Sequence, residues 1–121
     1  MTAGKGTHGY MAPEAYEAEY GTSADIFSLG ATLFEVANLK KAYTGTGIQI
    51  MKKLVIKQSG PEEFAEHCPQ EIRPLLTKCL TLDHENRPDI HEVISGLDEI
   101  KKDKDFVISR LTKELAEANL K

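Results

Sequence analysis

Hydrophobic positions follow several different rhythms along this chain. In TSADIFSLGATLFEVANL, residues 22–39, Ile26, Leu29, Leu33 and Val36 line one side of a helix, while Phe27, Ala31 and Phe34 line another. A helix that is apolar nearly all round must be buried on several sides. Thr22 and Asp25 stand in capping-box spacing ahead of the run, which predicts the helix start there. In EIRPLLTKCL the residues Ile72, Leu75, Leu76, Cys79 and Leu80 recur at i, i+3, i+4, i+7 and i+8, an amphipathic pattern. Pro74 fits only within the first turn of that helix. RPDIHEVISGLDEI then sets Ile90, Val93, Ile94, Leu97 and Ile100 on one face, with Pro88 as a helix opener.

The stretches between these helices are weaker. Glycines at 4, 6, 9 and 21 and Pro13 make the first 23 residues irregular, with one helical turn around APEAYEAEY and Pro13 at its first position. LKKAYTGTG is a loop, GIQIMKKLVI a short helix or an apolar turn, and SGPEEFAEHCPQ a connection with one turn of helix. The tail KKDKDFVISRLTKELAEANLK carries Ile108, Leu111, Leu115 and Ala118 at near-heptad spacing, short of the three or four heptads of a coiled coil. No strand or repeat is apparent. The pattern predicts an all-α chain with a main unit over 1–103 and a helical tail over 104–121, the tail being a candidate for weak self-association.

Composition narrows the function classes. A length of 121 residues with 40% hydrophobic and 28% charged residues suits one domain. The net charge of −4, with both signs interspersed, argues against nonspecific binding to nucleic acid or to an anionic membrane. The N-terminal MTAGKGTHG lacks the apolar core of a signal peptide, and no apolar run has membrane-span length. Cys68 and Cys79 are too few for a disulfide framework, so a reducing, intracellular and chiefly cytoplasmic setting is expected.

Three stretches in order carry the chemistry: GTHGYMAPE at 6–14, DIFSLG at 25–30 and CLTLDHENRPDIHEV at 79–93. Together they resemble the end of the activation segment, the central helix and the last-helix junction of a eukaryotic protein kinase C-terminal lobe, over about residues 4–97. The Ala-Pro-Glu triplet is weak alone; the ordered set is specific. The resemblance implies a partial kinase C-terminal lobe with a buried central helix.

Each matched residue inherits a role from that resemblance. Glu14 is expected to form a buried ion pair with Arg87, and Asp25 to anchor the catalytic loop. Asp25 also suits a plain first-turn acid favoured by the helix dipole. Gly30 is expected to permit close packing. Thr7 matches a threonine that shapes the substrate pocket in Ser/Thr kinases, and Tyr10, Met11 and Ala12 match its floor. Phe27 stands where many kinases have Trp, and His84 where the family often has Pro. Ala3 occupies a common activating phosphothreonine position, with Thr2 one residue away, which argues against control by activation-loop phosphorylation.

Phosphoryl transfer in this family needs a Gly-rich loop, a strand lysine paired with a helix glutamate, a catalytic-loop aspartate and asparagine, and an Asp-Phe-Gly aspartate for magnesium. None is present in these 121 residues. The expectation is ATP- and magnesium-dependent Ser/Thr phosphorylation of a protein substrate in a full-length relative, and no catalysis, cofactor or metal in this chain alone. A non-catalytic kinase-like binding or scaffold module, or a non-functional truncated product, is the alternative.

Two further constellations are weaker. Thr44-Gly45-Thr46-Gly47 with Lys52 and Lys53 lacks the Gly-Lys-Ser/Thr core of a phosphate loop. His67, Cys68, Cys79, His84 and His91 are metal-ligand types without a zinc spacing. Glu14, Glu17 and Glu19 read as a solvated face around the Glu14 pair.

Overall fold

The computed structural model describes residues 8–17 and 21–119, and all regular structure among them is helical. A 3-10 turn over Pro13–Glu17 precedes α1 (Thr22–Asn38) and α2 (Gly47–Met51), and a π-helical turn over Lys52–Ile56 extends α2. A 3-10 turn over Gln70–Ile72 leads into α3 (Arg73–Cys79), and a further one over His84–Asn86 precedes α4 (Ile90–Asn119). The fold is all-α. No helix among the described residues is long and apolar enough to cross a membrane.

The first helix starts one residue earlier than the capping-box spacing suggests. Gly21 is its N-cap, in extended backbone, and no side chain caps the end, so Thr22 is already helical and the Thr22–Asp25 box does not form. Tertiary bonds fix this end instead: Ser23 Oγ donates to the His84 carbonyl at 2.8 Å. At the other end Leu39 adopts the left-handed conformation, φ 57°, and its N–H bonds to the Glu35 carbonyl.

One side of α1 forms the core, through Phe27, Ala31 and Phe34 packed with Tyr43, Ile50, Leu54, Leu76 and Leu80. Burying one such side chain contributes roughly 1.5–3 kcal/mol. Ile26 joins Cys79 and Val93 in a second cluster that ties α1 to α3 and α4. The remaining side is open, with Val36 70% exposed and Leu33 partly covered. All-round burial of α1 is therefore not observed among the described residues; the helix is buried along one side.

Glycine makes the α1–α3 contact close. A Cβ on Gly30 would lie 2.5 Å from Cys79 Cβ, nearer than two such carbons can approach. Pro74 sits in the first turn of α3, where its missing N–H would have no helical partner. Pro88 is not the opener of α4. Asp89 precedes the helix and its carboxylate accepts the Glu92 N–H at 2.8 Å, so the proline lies just outside.

The segment 42–69 wraps this core. Thr46 and Gln49 form a reciprocal capping box that starts α2, which settles GIQIMKKLVI as helical through Ile56. The stretch 59–65 has no helical turn. Buried Asn38 holds it, donating to the Phe34 carbonyl at 2.9 Å and accepting the Ala65 N–H at 2.7 Å. The last helix runs unbroken across position 103, and Ile108, Leu111 and Leu115 stay exposed on it.

Candidate functional site

The segment 8–17 lies across α1 and α2, and backbone and side-chain contacts both hold it. Gly9 turns the chain with φ 95°, a left-handed conformation that glycine adopts freely. Met11, Ala12 and Ala15 are buried, and Ala15 N–H closes the following turn on the Ala12 carbonyl at 3.0 Å. From α1, Ser28 Oγ donates to the Tyr10 carbonyl at 2.7 Å. The Tyr10 hydroxyl donates to the Glu35 carboxylate. That hydrogen bond holds the Tyr10 pKa above its ordinary value, with burial and the Glu35 charge acting in the same direction.

A second attachment runs through His8. Its ring stacks on Tyr16 with centroids 5.6 Å apart, and Nδ1 lies 2.8 Å from the Tyr16 hydroxyl. The ring also fills the space beside Gly47, where a Cβ would come within 2.6 Å of His8 Cδ2. Gly47 thus lets α2 begin directly against the segment.

Glu14 and Arg87 form the electrostatic centre of the arrangement. Arg87 Nη1 and Nη2 meet the two Glu14 oxygens at 2.5 and 2.9 Å, a bidentate pair. Nε donates to the Thr81 carbonyl at 2.7 Å, Nη1 to Ser23 at 3.0 Å and Nη2 to Leu82 at 3.1 Å. All five guanidinium N–H donors are therefore engaged. The Arg87 side chain is 0% exposed, and its Cζ lies 5.0 Å over the Phe27 ring. The aromatic ring at position 27 covers the cation's face while the carboxylate and carbonyls meet its edge.

Asp25 lies exposed in the first turn of α1. With Ile26, Leu29, Arg87, Pro88 and Ile90 it lines an open cavity of about 500 Å³. Thr7, Thr2 and Ala3 fall outside the described residues. Tyr10, Met11, Ala12, Glu14 and Arg87 thus belong to one contiguous region, and Asp25 borders its far side.

The weaker constellations are used locally. Among the described residues no three His, Cys, Asp or Glu side chains gather as a metal site. Thr46 caps α2, and Lys53 Nζ donates to the Thr44 carbonyl at 2.9 Å. Cys68 and Cys79 are buried free thiols, and desolvation pushes the Cys79 pKa up to about 11 despite the opposing charge of Arg87.

Sequence reasoning missed His8, Tyr16, Ser28 and Glu35 as parts of this region. Ser28 and Glu35 lie one and three turns beyond Ala24 on the face of α1 that meets Tyr10, a relation visible only once the segment is docked.

A helical lobe in which an Ala-Pro-Glu carboxylate is locked to the arginine ahead of the last helix defines a class. Residues 1–96 match the sequence model of the protein kinase domain, and the chain belongs to the protein kinase family. It is similar to mitogen-activated protein kinase kinase kinase 7 of Drosophila melanogaster, 31% identical over 104 residues, covering 85% of this chain and 15% of that protein. It is also similar to the dual specificity mitogen-activated protein kinase kinase hemipterous of the same organism, 32% identical over 101 residues, covering 78% of this chain and 9% of the relative. Mixed lineage kinase domain-like protein of Homo sapiens is 28% identical over 96 residues, covering 77% of this chain and 20% of that relative. The chain therefore spans 9% to 20% of the length of these three relatives.

Proposed function

We propose that this chain is the substrate-side portion of a Ser/Thr protein kinase C-terminal lobe, carrying the end of an activation segment and no catalysis of its own. The docked segment 8–17 supports this reading above all, because a bidentate buried ion pair fixes it in place rather than leaving it as a loose loop. Tyr10, Met11 and Ala12 form the floor on which a protein substrate rests, and Thr7 with Gly6 gives the preference for Ser or Thr. ATP and magnesium act in a complete kinase domain, whose Gly-rich loop, strand lysine and catalytic and metal-binding aspartates these 121 residues lack. Asp25 there steadies the catalytic loop across the open cavity beside Ile26 and Leu29. Two buried free thiols favour a reducing, intracellular compartment.

The transcript and a transfer assay test this together. An in-frame upstream extension encoding the catalytic-loop aspartate and asparagine and the Asp-Phe-Gly aspartate is expected, with labelled phosphate reaching a generic Ser/Thr substrate only from the extended product. A stop codon directly upstream would leave a non-catalytic binding lobe. Phosphate transfer by the 121-residue chain alone would refute the assignment of catalysis to other residues.

A further inference from the structure

The match to the kinase domain ends at residue 96, yet α4 continues without a break to Asn119. The extra 23 residues extend about 35 Å at 1.5 Å per residue. Ile108, Leu111 and Leu115 repeat along it at heptad spacing, and each is between 58% and 64% exposed. The ion pairs Lys102–Asp98 and Arg110–Glu114 lie off this stripe and leave it free of charge between 108 and 118. Most helical stability in proteins comes from packing of an amphipathic face, and among the described residues this stripe stays exposed.

We propose that this segment pairs with the same segment of a second copy, in antiparallel orientation. Charge selects the partner. Residues 98–121 contain six acidic and six basic side chains, so the net −4 of the chain resides in the part before them. A neutral tail meets no repulsion from its own copy and offers little to a strongly acidic or basic partner.

Charge also selects the orientation. Lys101 and Lys104 occupy the heptad positions preceding Ile108. A parallel, in-register pair would set each lysine against its copy across the seam. The antiparallel pair sets Ile108 against the partner's Ala118, and Leu111 against the partner's Leu115. The two Lys104 residues then stand about 27 Å apart along the axis, well beyond a screening length of about 8 Å. The two acidic lobes lie at opposite ends. Because the seam is short, the pair is weak and dependent on concentration. This inference does not rest on the kinase reading.

Sedimentation equilibrium on the full chain tests it. The mass is expected to rise from 13.4 kDa toward twice that value with increasing concentration. The exposed double substitution Leu111→Asp with Leu115→Asp is expected to hold the mass at the monomer value while leaving the lobe's melting unchanged. A monomer at every concentration, or a dimer surviving the double substitution, would overturn the proposal. Orientation is read by oxidation: Ile108→Cys mixed with Ala118→Cys should crosslink between the two variants. Crosslinking of Ala118→Cys alone would instead show a parallel pair and refute the antiparallel assignment.

Discussion

Glu14→Gln isolates the electrostatic part of the anchor. The substitution preserves shape and leaves Arg87 with three backbone carbonyls, but it removes the carboxylate charge that pairs with the buried guanidinium. It also turns an amide NH₂ toward guanidinium donors, since both carboxylate oxygens accept from Arg87. Leaving a buried cation without its partner costs roughly 3–5 kcal/mol, about a fifth or more of the stability of an ordinary domain. For a chain of this size that corresponds to a melting temperature lowered by roughly 12–20 °C. Thermal and urea unfolding followed by far-UV circular dichroism measure it, with exposed Glu71→Gln as the control, expected within about 0.5 kcal/mol of the parent. Combining Glu14→Gln with Arg87→Met should recover part of the loss, because no buried charge remains. A Glu14→Gln effect no larger than the control's would refute the claim that the pair holds the segment down.

Three other outcomes follow from the geometry. Gly30→Ala should destabilise the chain by about 1–3 kcal/mol through overpacking, although alanine normally favours a helix interior, because its Cβ would meet Cys79 Cβ at 2.5 Å; a gain in urea midpoint would sink this reading. Raising pH from about 9 to about 11 should lower stability, because the folded Cys79 thiol binds its proton more tightly than the unfolded one. That stability is fully present below the unfolded value and is lost as pH passes the folded one. Cys79→Ala should flatten this part of the pH profile, and an unchanged slope would refute the assignment. The open side of α1, with Val36 exposed and an apolar cavity beside Ile26 and Leu29, should bind a hydrophobic dye in the native chain; no fluorescence gain together with a sharp two-state melt would count against it.

Much of the fold was legible because burial enforces periodicity. The Leu76–Cys79–Leu80 ridge and Val93 emerged directly from i, i+3 and i+4 spacing, since those side chains meet α1. Helix ends were less legible. Thr22 carried a capping pattern, but Ser23 and Arg87 contacts from 61 and 64 residues away set the start of α1. Conversely, the Thr46–Gln49 capping box is present in the sequence, where the flanking glycines 45 and 47 mask it as a loop. The open side of α1 was not legible either, because periodicity reports which positions are apolar and not whether anything covers them. Tyr10 and Glu35 show the same limit at the site: a hydrogen bond across 25 residues leaves no local signature.

The Glu14–Arg87 pair also sets a schedule. Its partners stand 73 positions apart, and the arginine is encoded after α1, α2 and α3. At about 5–20 residues per second of synthesis, the segment ending at Glu14 waits roughly 4–15 s for its partner to be made. During that interval its buried alanines and Met11 have no finished surface to meet. The segment is thus secured only once Arg87, 73 positions later, has been made, and nascent chains stalled between the two should be the ones most open to proteases and most dependent on chaperones.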